Sequence, residues 1–218
     1  KVNYKFGPHV QAITDLNHLN NSDEIDVIIN LAGASLASGL WTKTRKQIFF
    51  ESRIKTTKNL ITLIERLEKK PELLINGSAI GFYGNRGDET LTEENDSKTD
   101  FMASLCQQWE EEAVQAEDCG VRVIRFRIGL VLDGGGGILP PMLLATKLYG
   151  GMIIGDGCQY MSWIDRNDII DLIQFIVSNS EINGAVNASA PNPETQRSFM
   201  KTLGTVIKRP VYLWAPQW

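Results

Sequence analysis

The sequence predicts an α/β protein built on a doubly wound parallel sheet. Three observations carry the prediction. Short apolar runs, Val27–Ile29, Leu73–Ile75 and Val121–Val131, recur along the chain. Long stretches with helical periodicity separate them. The first two runs also break into small residues at their C-terminal ends, the place where open α/β sheets bind ligands.

The 218 residues contain 43% hydrophobic residues, enough for one large domain. A net charge of −4 makes no electrostatic case for nucleic acid or an anionic membrane as partner. No apolar run approaches the roughly 18 residues of a membrane span, and residues 1–25 hold no signal-peptide core. The three widely spaced cysteines, Cys106, Cys119 and Cys158, fit a reduced, cytoplasmic setting. There is no CxxC, and both histidines, His9 and His18, lie near the N-terminus. Neither a zinc site nor a Ser-His-Asp triad is therefore supported.

In chain order, Gln11-Ala12-Ile13 could form a short strand before a turn of helix. Val27-Ile28-Ile29 is β-branched and reads as a central parallel strand. It runs into Asn30-Leu31-Ala32-Gly33-Ala34, where small side chains let a ligand approach the backbone. Thr42–Lys69 is the longest helical stretch, with an apolar stripe through Ile48, Ile54, Ile61, Leu63, Ile64 and Leu67, closed by Pro71. Its cations Lys43, Arg45, Lys46 and Arg53 form either a solvated face or a phosphate contact.

Leu73-Leu74-Ile75 reads as a buried strand running into Asn76-Gly77-Ser78-Ala79 and the aromatic turn Phe82-Tyr83-Gly84. Ser78, flanked by glycines, is a candidate site residue. The acidic loop Gly87–Asp100 follows, as a lid or a surface connection. Phe101–Glu117 repeats Leu105, Trp109, Ala113 and Ala116 at helical spacing, and Glu110-Glu111-Glu112 reads as its solvated face. Gly120 ends the helix. Along Val121–Val131, alternation places Arg125 and Arg127 on one face. Asp133–Gly137 is a glycine loop without the Lys-Ser/Thr of a P-loop. Helices are expected over Ile138–Tyr149, over Ile169–Ser178 with Asp168 as N-cap, and over Glu194–Ile207. Short strands are expected between Gly150 and Trp163 and at Gly184–Ala188. No GxGxxG precedes the first strand, so the sheet is expected to lack its first β-α-β unit.

An ordered set of motifs then resembles a family. Asp26–Ala34 is followed by Trp41, Arg45, Lys46, Ser52-Arg53-Ile54 and Thr57. Gly77-Ser78-Ala79, Phe82-Tyr83-Gly84 and Trp109-Glu110 come next. Arg125–Leu132, Gly134–Leu139, Gly155-Asp156-Gly157, Ser162-Trp163-Ile164 and Asp168 complete it. The set resembles the atypical, extended-type short-chain dehydrogenase/reductases that are nucleotide-sugar epimerase-like. The resemblance implies an N-terminally incomplete Rossmann domain over residues 1–133 and a small, C-terminally incomplete α+β substrate lobe over residues 134–218. It implies NADP or NAD as cofactor, with NADP preferred, and a small-molecule substrate such as a nucleotide sugar or related carbonyl or polyol. Homodimerisation is left open.

Residue by residue, the resemblance implies that Leu31, Ala32 and Gly33 line the cofactor near its adenosine ribose and pyrophosphate. Arg53 stands where extended relatives carry an Asn. Ser78, with Ala79, stands at the end of the catalytic strand. Arg127 and Ile128 pass near the nicotinamide, and Tyr160 and Trp163 belong to the substrate side. The family's reductase chemistry uses a Tyr with a Lys four residues on. None of the five tyrosines has that Lys, and the helix that should carry the pair reads Phe101-Met102-Ala103-Ser104-Leu105-Cys106. The expected acid/base group is therefore another one, with Tyr83, Tyr160 and Asp165 as candidates. The alternative is a non-catalytic cofactor-binding sensor or partner-binding protein.

Overall fold

A computed structural model describes residues 9–36 and 39–216. Tyr4, Gly7 and Trp218 lie outside the described residues.

A four-stranded parallel sheet forms the centre. Its strands are β1 (Val27–Asn30), β2 (Leu73–Ala79), β3 (Arg122–Ile128) and β9 (Gly184–Ala188), in that spatial order. The long helical stretch between β1 and β2 divides into α1 (Lys43–Phe50), a π-helical turn Glu51–Lys55, and α2 (Thr56–Arg66). Thr42 caps it by accepting from the Arg45 amide. Between β2 and β3 lies α3 (Phe101–Val114), capped by Asp100 and continued by a 3-10 turn to Cys119. Gly120, at φ +78°, takes the left-handed turn that ends it.

The sheet is covered on both faces, as the double winding requires. On one side Ile28, Leu74 and Val123 pack against Ile61 and Ile64 of α2 and Ala113 of α3. On the other, Leu73, Ile75, Ile124 and Phe126 pack against Ile169 and Ile176 of α5 (Arg166–Ser178). β9 comes from beyond residue 134 yet pairs with β3, so the sheet draws on both ends of the chain.

The remaining elements build the rim beyond the strands' C-terminal ends. β4 (Leu130–Asp133) pairs with the two-residue β5 (Gly136–Gly137) and with β8 (Trp163–Asp165). α4 (Leu139–Lys147), β6 (Met152–Ile154), β7 (Tyr160–Met161), β10 (Glu194–Thr195), α6 (Gln196–Val206) and β11 (Leu213–Ala215) complete the chain. Among the described residues no helix is long and apolar enough to cross a membrane.

Several expectations need correction. Gln11–Ile13 forms no strand among the described residues, and Asp15 just after it caps the 3-10 turn Leu16–His18. Among the described residues β1 pairs with β2 alone, and Ile29 is 46% exposed. β2 runs four residues past its apolar start: Asn76 pairs with both β1 and β3, and Gly77, Ser78 and Ala79 continue the ladder with β3. The N-cap of α5 is Asp165, accepting from the Asn167 amide, which leaves Asp168 inside the first turn. Glu110 is not solvated. It is 4% exposed and faces the sheet.

Candidate functional site

Register sets the site. Ser78 of β2, Arg127 of β3 and Asn187 of β9 are direct partners across the parallel sheet, so they form one row near the strands' C-terminal ends. Period two puts Arg125 on the same face as Arg127, as alternation predicts. α3 lies over that face and inserts Glu110. The Glu110 carboxylate accepts from Ser78 Oγ at 2.6 Å and from Arg127 Nε and Nη2 at 2.9 Å each. Arg125 reaches it at 3.9 Å.

Arg127 extends the network outward. Its Nη1 donates to Tyr83 Oη at 2.8 Å and to the Glu93 carbonyl at 3.2 Å. Tyr83 donates to Asn187 Oδ1 at 2.7 Å, while the Glu93 carboxylate accepts from the Asn187 amide at 2.8 Å. The guanidinium also lies 3.6 Å from the Phe82 ring centre. Burial alone would lower the Arg127 pKa, but bonds to Glu110 and Tyr83 outweigh it and raise it, so the guanidinium stays charged. One hydrogen-bonded chain thus joins Ser78, Glu110, Arg127, Tyr83 and Asn187.

Tyr83, 3% exposed, and Asn187 are the members of this network that also border a cavity. A cavity of about 650 Å³ lies beyond β2 and β9. Ile80, Tyr83, Tyr160, Ser162, Asn187 and Ser189 line it, with residues 84–91, which run into the acidic loop, as one wall. Its volume is that of a small-ligand site.

A second buried network stands at the end of β1. Asn30 Nδ2 donates to Thr57 Oγ1 at 3.0 Å and to Asn76 Oδ1 at 2.6 Å. Trp109 Nε1 donates to the same Thr57 hydroxyl at 2.9 Å. Arg53 comes from the π-helical turn and lies against the backbone of Gly33, where a Cβ would stand 2.8 Å from its Cζ. Its Nη1 donates to the Phe49 carbonyl and its Nη2 to the Ala34 carbonyl, at 3.3 and 3.2 Å. The guanidinium lies 5.2 Å from the Trp109 ring centre. No carboxylate of the described residues pairs with it, and burial lowers its pKa. Leu31, Ala32 and Gly33 are exposed beside it.

The structure therefore brings Ser78, Tyr83 and Arg127 into one network, Gly33 against Arg53, and Tyr83 and Tyr160 around one cavity. Ser78 is 3% exposed and its hydroxyl is turned to Glu110. Cys106 of α3 lies beside Ser78 and Ala79, and burial pushes its thiol up to about 11. Ile128 packs into the core and Trp163 lies in β8, its carbonyl accepting from the Ala190 amide. Asp165 is spent on capping α5. Of the basic cluster, Lys46 lies over the Phe101 ring and only Arg53 is buried. Sequence reasoning missed Glu110, Asn187 and Glu93. The signal for Glu110 was its place in the stripe Ala103, Cys106, Glu110, Ala113, spaced by three and four residues.

A profile of the NAD-dependent epimerase/dehydratase family matches residues 9–189. The chain belongs to that family. It is 40% identical over 194 residues to the epimerase family protein YfhF of Bacillus subtilis, covering 88% of this chain and 63% of that protein. An epimerase family protein of Staphylococcus saprophyticus is 39% identical over 201 residues, 92% of this chain and 67% of its own. Among solved structures, human epimerase family protein SDR39U1 with NADPH superimposes with a TM-score of 0.83 at 27% identity, over 89% of this chain and 66% of that one. A nucleoside-diphosphate sugar epimerase from Corynebacterium glutamicum gives 0.71 at 38% identity, over 83% of this chain and 38% of its own. The family member is thus an atypical short-chain dehydrogenase/reductase with a Rossmann-like parallel sheet. It spans 63% of the length of the Bacillus relative.

Proposed function

We propose that the protein containing this chain binds a nicotinamide dinucleotide, NADP in preference to NAD, and acts on a small carbonyl- or hydroxyl-bearing substrate as an epimerase or oxidoreductase. The observation that carries this is Arg53. It is a buried cation with no carboxylate partner among the described residues, set beside the exposed backbone of Leu31-Ala32-Gly33. A buried unpaired charge is costly, and an anionic group on that strip offsets the cost. Leu31, Ala32, Gly33 and Arg53 would hold the phosphate side of the cofactor. The NADPH in the human relative supports the NADP preference.

When bound, the nicotinamide supplies a hydride donor or acceptor. The chain's own residues orient and shield. Tyr83 is the proton-handling group of this reading, because the residue borders the cavity and its hydroxyl is fixed between Arg127 and Asn187. Glu110, through Ser78 and Arg127, positions rather than reacts. Residues up to about 133 would supply the cofactor site, and the substrate side would draw on Tyr83 and its neighbours as well as on residues beyond 134. The three free cysteines fit a reducing, cytoplasmic setting.

Titration of the full-length protein with NADPH and NADH, read by cofactor fluorescence, tests the reading. Arg53→Ala is expected to weaken NADPH at least tenfold with an unchanged circular dichroism spectrum, the loss of one charge-assisted contact. Absence of binding to either cofactor would overturn it. A second reading is a non-catalytic cofactor-binding sensor, favoured by the commitment of Ser78 to Glu110 and by Cys106 beside it. Tyr83→Phe separates the two: at least a hundredfold loss of turnover supports the enzyme, and bound cofactor that no carbonyl or polyol oxidises or reduces supports the sensor.

A further inference from the structure

We infer that Glu93 is a positioning residue for Tyr83, holding both partners of the Tyr83 hydroxyl from the acidic loop. The inference rests on the reading of Tyr83 as the proton-handling group.

The hydroxyl stands between two groups, and Glu93 binds each of them. Arg127 Nη1 donates to Tyr83 Oη at 2.8 Å and to the Glu93 carbonyl at 3.2 Å. Asn187 Oδ1 accepts from Tyr83 Oη at 2.7 Å, and the Asn187 backbone amide donates to Glu93 Oε1 at 2.8 Å. The contacts close a ring that runs from Glu93 through Arg127, Tyr83 and Asn187 back to Glu93.

Each bond in the ring fixes a direction. Arg127 Nε and Nη2 are committed to Glu110, so Nη1 is the end left to aim. It carries two hydrogens, one for Tyr83 Oη and one for the Glu93 carbonyl. A guanidinium accepts nothing, so Tyr83 cannot turn its own hydrogen towards Arg127. That hydrogen goes to Asn187 instead, and the Glu93 carboxylate pins the Asn187 backbone through a charge-assisted bond. Glu93 thus holds the donor on one side of Tyr83 Oη and the acceptor on the other.

The local sequence is built to present Glu93. The Thr92 amide and hydroxyl donate to Asn95 Oδ1 at 2.6 and 3.2 Å, and the Asn95 amide donates to the Thr92 carbonyl at 3.1 Å, a turn with Glu93 inside it. Arg86 ties this turn back to Tyr83, with Nη2 donating to the Asp96 carbonyl at 2.7 Å and Nε to the Tyr83 carbonyl at 3.4 Å. Residues 84–91, one wall of the cavity, are therefore anchored on the same site at both ends, at Tyr83 and at Glu93. Glu93 is itself exposed on its loop, so replacing it spares the core, unlike replacing Arg127 or Glu110.

The test uses full-length protein whose tyrosines carry a carbon-13 label at Cζ, where the NMR signal reports on the hydroxyl's hydrogen bonds. Tyr83→Phe identifies the Tyr83 signal. Glu93→Ala is expected to displace that signal alone and to speed hydrogen exchange at the Asn187 amide at least tenfold, the loss of one charge-assisted bond. Glu93→Gln keeps an acceptor oxygen, so it should restore the Tyr83 signal and bring exchange within threefold of the native rate. Glu94→Ala, at the exposed neighbouring position, should match the native protein. With a carbonyl that the protein reduces, Glu93→Ala should lower kcat at least tenfold and leave KM and NADPH affinity within threefold. The inference is overturned by an unmoved Tyr83 signal in Glu93→Ala, by displacement of all the tyrosine signals together, by the same change in Glu94→Ala, by Glu93→Gln behaving as Glu93→Ala, or by an unchanged kcat. Turnover by Tyr83→Phe reports separately on the proton-handling role. If that role fails, the NMR arm still decides whether Glu93 holds the hydroxyl.

Discussion

Glu110 on α3 and Arg127 on β3 meet through two parallel hydrogen bonds of 2.9 Å, with side chains 5% and 2% exposed. This bidentate pair joins the helix to the sheet and holds Ser78 and Tyr83 at opposite ends. Removing one partner strands the other charge in the interior. Arg127→Met is expected to destabilise by about 3–5 kcal/mol, as is Glu110→Leu. The Glu110→Leu/Arg127→Met double variant should lose less than the sum of the singles, because neither charge remains. Urea unfolding of the four proteins measures this, and additive losses would refute the coupling.

Thr57 is fully buried, and its hydroxyl stands among four polar partners, with Asn76 Oδ1 the most distant at 3.4 Å. It accepts from Asn30 and Trp109 and donates to the Arg53 carbonyl at 2.9 Å. Thr57→Val keeps the shape and leaves buried donors without an acceptor, so a loss of about 2–3 kcal/mol is expected. Thr57→Ser keeps the hydroxyl and should lose roughly 1 kcal/mol, the cost of one methyl. Equal losses in the two variants would show that packing, not hydrogen bonding, matters here.

Cys106 carries a pH signature. Its thiol is pushed up to about 11 from 9.0, first by burial and then by the Glu110 charge. The folded state thus keeps its proton where the unfolded chain has lost it. The resulting stability is complete below pH 9 and falls away as pH rises through 11, by about 2–3 kcal/mol. The unfolding free energy of the native sequence should therefore fall more steeply from pH 9 to 11 than that of Cys106→Ala. At pH 8 iodoacetamide should alkylate the exposed Cys158 and spare Cys106, as peptide mass mapping would report.

The sequence made the parallel order of β1, β2 and β3 legible because buried strands are continuous apolar runs. It also made Arg125 and Arg127 legible as one face. It hid what those arginines meet. A Glu in a Glu-Glu-Glu run looks solvated, and only the seating of α3 on β3 turns Glu110 inward. Asn187 and Glu93 come from segments 60 and 34 residues away from Arg127 in sequence, and tertiary pairing alone brings them to Tyr83.

Gly129 marks the joint between the central sheet and the rim that carries the cavity. Its amide donates to the Ala188 carbonyl at 3.0 Å, and the next amide, of Leu130, donates to the Ser162 carbonyl at 2.8 Å. A Cβ on Gly129 would stand 2.6 Å from that Ser162 oxygen and 3.3 Å from the Ala188 oxygen. Both are backbone atoms, so the clash cannot be relieved by a side-chain turn. Gly129→Ala is expected to cost about 2–3 kcal/mol, at the upper end for added bulk in a packed site. Ser162 and Asn187 border both the joint and the cavity, so ligand affinity should fall with stability. Gly134→Ala is the control: nothing stands within 4 Å of its added Cβ, and the change should stay within about 0.5 kcal/mol. Hydrogen exchange at the Leu130 amide, faster in Gly129→Ala and unchanged in Gly134→Ala, would locate the damage at the joint, whereas equal rates in both would refute the close-packing argument.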